Sequence, residues 1–392
     1  MNGMLPLFAA LVAASTAVLI FAGGLVTSTG SGLSVPDWPN TYGWFMWAFP
    51  LNKMVGGIFY EHLHRLVAST VGFLIVVLAI WLWRAEPRAW VRRLGYVALA
   101  AVVTQGILGG ITVLWYLPDA ISIAHASLAQ IVFCLTTTIA LVTSPGWKRG
   151  YTTSARADLK VGPYDPILTV GPSDPILKVG PYDPILPRDI TLERLAIVTT
   201  AAIYAQIVIG ATMRHTGAGL AIPDFPLAFG HLVPPMWDSK IAIHFAHRVG
   251  AATVAVLIVA TAGHVFVHHA RRRELVRPAV LLLALLALQI TLGGLTVLSQ
   301  KQFVINSLHV VNGALVLVTS LVLTLRAHRA RFAGFVHAGS ASPGFDAPRD
   351  GNAGSADPFA ERDPAYVRRA GPAAREDAIA APTRQTRRGL GA

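Results

Sequence analysis

Charge is scarce in this sequence, and cysteine is almost missing. Only 13% of its 392 residues are charged, whereas soluble domains carry about 25%. That excludes an ordinary water-facing surface over most of the chain. The single cysteine, Cys134, sits inside an apolar run. A disulfide within the chain is therefore impossible, and no thiolate pair exists for a structural zinc site. No basic stretch precedes the first apolar segment, so the N-terminus reads as a first membrane span and not as a cleaved signal peptide. Acidic side chains are also nearly absent from the apolar runs. Glu61 is the one that stands clearly inside a run.

Long apolar runs take the place of that charge. Mean hydropathy is +0.55, and several runs reach the roughly 20 residues a helix needs to cross about 30 Å of hydrocarbon. Spans are expected near residues 5–27, 58–83, 94–115, 120–143, 194–213, 240–266, 279–299 and 304–326. The fold class is thus all-α and membrane-embedded, with eight transmembrane helices arranged as two tandem, parallel four-helix bundles. The net charge of +12 is no sign of a nucleic-acid partner, because the basic residues lie between spans. Arg84, Arg88, Arg92 and Arg93 follow the second span. Lys148, Arg149, Arg156, Lys160, Lys178 and Arg188 follow the fourth, and Arg271, Arg272, Arg273 and Arg277 the sixth. The other side has only Lys53, Arg214, Lys240 and Lys301. The positive-inside rule puts the arginine-rich loops and both termini in the cytoplasm of a cell embedding this chain in its plasma membrane.

Four regions follow. Residues 1–145 form a first four-helix half and 193–328 a second. Between them, 146–192 is a cytoplasmic linker containing a nine-residue tandem repeat over 161–186, VGPYDPILT, VGPSDPILK, VGPYDPIL. Two prolines per unit exclude a packed helix there. Residues 329–392 are rich in Ala, Gly, Pro, Arg and Asp and are expected to be a disordered cytoplasmic tail. The outer loops, about 28–57 and 214–239, hold Trp38, Trp44, Trp47 and Trp237. These read as interfacial tryptophans or, more sharply, as a lid on the membrane surface.

The halves repeat each other. GSGLSVPDWP in the first outer loop returns as GAGLAIPDFP, pairing Asp37 with Asp224. HRLVAST from His64 returns as HRVGAAT from His247, and QGILGGITVL from Gln105 as QITLGGLTVL from Gln289. The last match pairs His125 with His309. Four helices per copy is an even number, so both copies keep one orientation, unlike an inverted repeat.

The repeat selects four of the thirteen histidines: His64, His125, His247 and His309. Each lies roughly 7–11 Å inside the outer end of its span, at about 1.5 Å per residue. Two imidazoles at matched depth on two helices suit axial ligation of a haem iron. The plainer reading is a buried histidine bonded to a neighbouring carbonyl, and zinc or copper is the other metal reading. His62, His264, His268, His269, His328 and His337 have no repeat partner and read as interfacial or solvated. Gln105, Gln289 and the glycine pairs beginning at Gly109 and Gly293 read as close helix packing. Glu61 stands one turn before His64 on the same face, while the second half has His244 there. An intramembrane carboxylate is a functional candidate by default; a salt bridge to Arg65 is the alternative. Arg65 and Arg248 follow the paired histidines and either meet haem propionates or snorkel outward.

Taken together, Glu61-His62-Leu63-His64-Arg65 matching E-x-x-H-R, GSGL with PDWP in the first outer loop, His247–Arg248, and the later His125 and His309 resemble the haem A synthase family. The resemblance spans about residues 5–145 and 190–326. It implies an oxidoreductase that converts the methyl group of haem O to the formyl group of haem A for terminal oxidase assembly. It further implies that Glu61 is catalytic and that His64 and His125 ligate the substrate haem. His247 and His309 would ligate a haem b cofactor, with Arg65 and Arg248 near propionates. The implied partners are haem O, the haem O synthase (a farnesyltransferase), an electron donor and membrane lipid. One departure is plain: LSVPDWPNTYG over 33–43 lacks the cysteine pair many bacterial relatives carry there, which excludes a thiol–disulfide step. Two other readings compete. A di-haem b-type electron carrier usually needs haems at both faces, but these histidines all sit at one depth. A haem transporter is the other, yet no span is broken at mid-membrane.

Overall fold

The computed structural model describes residues 4–148 and 188–329. The tandem repeat at 161–186 and the tail beyond 329 lie outside the described residues. Eight long helices account for nearly all of what is described: α1 (Leu5–Ser28), α2 (Gly56–Ala85), α3 (Ala89–Leu114), α4 (Asp119–Thr143), α5 (Ile190–His215), α6 (Ser239–His268), α7 (Arg273–Leu298) and α8 (Phe303–Ala327). Each is long and apolar enough to span a membrane. Among the described residues there is no strand, only the isolated bridges Thr41–Trp44 and Ala228–His231. All eight helices fall within one compact unit.

Helix starts follow local chemistry. Asp189 accepts the Leu192 N–H at the start of α5, Asp238 the Ile241 N–H at α6, and Gln302 the Ile305 N–H at α8. Each satisfies a donor the first turn leaves orphaned. Large apolar side chains such as Leu7, Phe73, Val256 and Val267 remain exposed. On a chain of this hydropathy, such surface faces lipid and not water.

The helices pack as two rings. α1 touches α2 and α4, and α3 touches α2 and α4; in the second half α5 touches α6 and α8, and α7 touches α6 and α8. The halves meet where α1, α4, α5 and α8 come together. Apolar side chains, among them Val71, Ile75, Leu78, Leu82 and Ile139, fill the first ring. The second ring adds hydroxyl pairs between helices: Thr199 with Thr261 at 2.7 Å, and Thr200 with Ser320 and Thr324 at 2.7 and 2.8 Å. Interhelical hydroxyl bonds help hold helices together in lipid, where apolar attraction between them is weak.

At the arginine-rich end, two expected surface histidines turn out to be structural. Asp189 Oδ2 takes hydrogen bonds from Nε2 of His264 (2.7 Å) and His269 (2.8 Å), while Oδ1 caps α5. The cluster ties the start of α5 to the end of α6. Burial pulls the Asp189 carboxyl up, but these bonds outweigh it and hold the group well below the usual range.

Candidate functional site

Histidine placement follows from ring geometry. His64 on α2 and His125 on α4 stand across the first ring from one another; His247 on α6 and His309 on α8 do the same in the second. Each pair lies within electrostatic range, His64 of His125 and His309 of His247. All four rings are half-buried.

Each ring rests on a glycine of the neighbouring helix. A Cβ built at Gly23 would meet His64 Cε1 at 3.1 Å; at Gly109, His125 Cε1 at 3.2 Å; at Gly210, His247 Cε1 at 3.0 Å; and at Gly293, His309 Cε1 at 3.2 Å. Four histidines thus share one arrangement, the Cε1 edge set against a helix backbone that only glycine lets come so near. Gly109 and Gly293, expected from the sequence as helix contacts, are histidine seats.

Three of the four histidines leave a buried ring nitrogen unspent. Nδ1 of His64, His125 and His309 is buried with no hydrogen-bond partner. Buried polar atoms are rarely left so unless something else completes them. Glutamines position the rings: Gln105 donates to the His125 carbonyl at 2.9 Å, and Gln206 to the His247 carbonyl at 2.7 Å and Nδ1 at 3.0 Å. Gln289 lies 3.3 Å from His309 Nε2 and is itself held by Asn312. Imidazoles facing each other across a helix ring, with ring nitrogens unspent, can take a metal between them.

Glu61 is 3% exposed and doubly engaged. Oε1 pairs with Arg65 Nη2 at 2.6 Å, and Oε2 accepts the Val35 N–H at 2.8 Å. Arg65 also donates to the carbonyls of Val35, Asp37 and Asn40. The second half repeats the clamp without the acid. His244 Nδ1 takes the Ile222 N–H at 3.2 Å, and Arg248 donates to the carbonyls of Ile222, Asp224 and Leu227. Arg65 and Arg248 therefore do not snorkel outward; most of their donors are bound to the outer loops. Of the five N–H groups a guanidinium has, Arg65 commits its Nη donors to the loop and Glu61.

The repeated loop motif explains itself here. Asp37 accepts the N–H groups of Tyr42 (2.7 Å) and Gly43 (2.8 Å), as Asp224 accepts those of Phe229 (2.7 Å) and Gly230 (2.8 Å). Gly43 and Gly230 have φ of 76° and 78°, a conformation glycine adopts without steric penalty. The aromatic after each aspartate lies on the second glycine of a pair: a Cβ at Gly110 would meet the Trp38 ring at 2.7 Å, and one at Gly294 the Phe225 ring at 2.9 Å. Trp38 thus rests one ring face on α3 while staying exposed on the other side, as Trp44, Trp47 and Trp237 also are. His62, expected at the interface, is fully buried under this lid, against Thr41 and Phe49.

Comparison with known proteins matches the sequence to one family. A family model described as "Cytochrome oxidase assembly protein" matches residues 45–160 and 178–322. A protein of Symbiobacterium thermophilum named "Heme A synthase" is 29% identical over 304 residues, covering 76% of this chain and 87% of its own length. Relatives with the same name occur in Halalkalibacterium halodurans and Geobacillus kaustophilus. The first is 28% identical over 79% of this chain and 92% of itself; the second is 27% identical over 88% and 99%.

Proposed function

Because this chain belongs to the cytochrome oxidase assembly protein family, we propose that it is a multi-pass membrane haem A synthase, oxidising the methyl group of haem O to the formyl group of haem A. The observation that carries the reading is the repeated histidine pair, each imidazole seated on a glycine, with an acid beside it in the first half only.

The residues fit an iron porphyrin. Three buried ring nitrogens lack partners, and histidine pairs across a four-helix ring are a familiar way to hold such a group. In our reading His64 and His125 bind the substrate, haem O, and His247 and His309 bind haem b. When bound there, haem b supplies one-electron transfer.

Glu61 is assigned the proton chemistry. Oxidising a methyl group releases protons. Oε2 bonds only the Val35 N–H, and a carboxylate oxygen has more than one lone pair. It can therefore accept a proton while Oε1 keeps its hydrogen bond from Arg65. His244 in the matching position holds its loop but offers no carboxylate, which suits an electron-transfer site. Arg65 and Arg248 act first as loop clamps; any propionate contact from Arg65 falls to Nε.

We place the protein in the plasma membrane with both termini cytoplasmic and both haem sites near the outer face, on the distribution of arginines. Residues 1–145 and 193–328 then serve as substrate and cofactor halves, joined by 146–192. The haem O synthase and an electron donor are its expected partners. Chromatography of pigment extracted from haem O-containing membranes, with and without this protein, tests the function. Haem A appears only with the protein present. An unchanged haem composition leaves an electron carrier or transporter instead.

A further inference from the structure

The second half carries cations where the first has none. The repeat pairs Arg214 with Thr27, near the ends of α5 and α1, and Lys301 with Leu117, in the loops before α8 and α4. The backbone keeps this correspondence. Leu117 and Lys301 have φ of 58° and 64°. Each lies over a matching glycine: a Cβ at Gly32 would meet Leu117 Cδ1 at 3.3 Å, and one at Gly219 would meet Lys301 Cε at 2.9 Å and Nζ at 3.3 Å.

Arg214 lies half-buried where the halves meet. Its Nη2 donates to the Gly24 carbonyl at 2.7 Å and to Ser28 Oγ at 2.8 Å. Its Nε is buried with no partner. No carboxylate among the described residues forms an ion pair with it. Lys301 is close by, facing Arg214 and Lys240. Both cations border the second ring: Arg214 ends α5, which packs on α6 and α8, and Lys301 stands two residues before α8, over Gly219. A half-buried guanidinium without a counter-charge is costly in a membrane, and two cations at one rim call for an anion.

We propose that Arg214 and Lys301 anchor the carboxylate side chains of the porphyrin held by His247 and His309, and that the neutral Thr27 and Leu117 leave the first-half porphyrin without that anchor. This rests on the haem reading of both halves. It deepens it, because the two sites then differ in retention as well as chemistry. A cofactor must stay, whereas a substrate must enter and its product leave. Charge-assisted bonds from a guanidinium to a carboxylate are among the strongest a protein makes.

The test exchanges residues between halves. Wild type, Lys301→Leu and Arg214→Thr are each loaded in the second half with haem b or with haem b dimethyl ester, whose carboxylates are capped. Transfer of the low-spin pigment to excess apomyoglobin is then timed. Wild type should lose the ester about tenfold faster than haem b, an effect of roughly one charge-assisted bond. In the variants that ratio should fall toward one. Mere loosening of the fold would speed both losses alike and leave the ratio intact. Lys301→Leu keeps every bond of Arg214 to α1, so it guards against a folding defect in the other variant. An equal rate for haem and ester in wild type, or an unchanged ratio in both variants, overturns the anchor. A wild type with no low-spin haem in the second half defeats the haem assignment itself.

Discussion

A single carboxylate bears most of the functional argument at the residue scale. Glu61 is both the partner of Arg65 and the one acid beside a paired histidine. Glu61→Gln keeps an acceptor for the Val35 N–H but has no charge and cannot take a proton. Haem content should stay near normal, while haem A formation falls by about 10²–10⁴-fold, the usual worth of a positioned base. Chromatography of extracted pigment reads both, and near-normal haem A would reduce Glu61 to a loop clamp. The histidines give a separate test. His247→Ala or His309→Ala should each remove most of the low-spin haem spectrum of the purified protein. A full signal in both variants would refute the assignment of the second half.

Glycines and loop aspartates decide matters at the scale of elements. Each ligand candidate needs a neighbouring helix without a side chain at one position. Gly293→Val should push the His309 ring off its seat and weaken the second-half spectrum. Gly106→Val, where a Cβ meets nothing within 4 Å, should leave the spectrum unchanged and serves as the control. Loss of signal from both would mean that helix packing, not the histidine seat, is at stake. The outer loops respond to acid in a defined sense. Burial pulls the Asp37 carboxyl up, but the N–H groups of Gly43 and Tyr42 and the Arg65 charge hold it below its free value of 3.8. The Gly230 N–H does the same for Asp224, aided by Phe229 and Arg248. Their stabilising bonds are fully present above the free value and are lost as pH falls through the lower folded one. Emission from the loop tryptophans should stay flat from neutral pH to about 4.5 and change only in stronger acid; a transition near pH 6 would contradict this.

Across the whole molecule, two rings lie side by side and share one wall. α4 and α5 pack directly on each other, so contact between the halves does not depend on the chain joining them. Deleting 161–186 should therefore leave haem content and activity close to normal, as measured by pigment per purified protein and haem A yield. Failure to assemble would make the repeat a structural element.

Periodicity and composition made the helices legible from sequence, because lipid demands long apolar runs and leaves few alternatives. All eight expected spans occur, each shorter than its helix, and those at 94–115 and 279–299 run one residue past the helix ends at Leu114 and Leu298. The internal repeat likewise exposed His64, His125, His247 and His309, because a doubled position stands out from a chance one. Other features depended on distance in three dimensions. The seats at Gly23 and Gly210 lie on α1 and α5, far along the chain from His64 and His247. The role of Arg65 and Arg248 was open until the loop carbonyls came within bonding distance. Arg214 reads in the sequence only as one of the few basic residues on the outer side, because a missing counter-charge cannot be read from a string of letters. Sequence by itself determined which segments cross the membrane and which histidines recur, since both follow from local hydropathy and repetition. Only the tertiary structure decided what each polar group faces, because that depends on which helices the ring sets side by side.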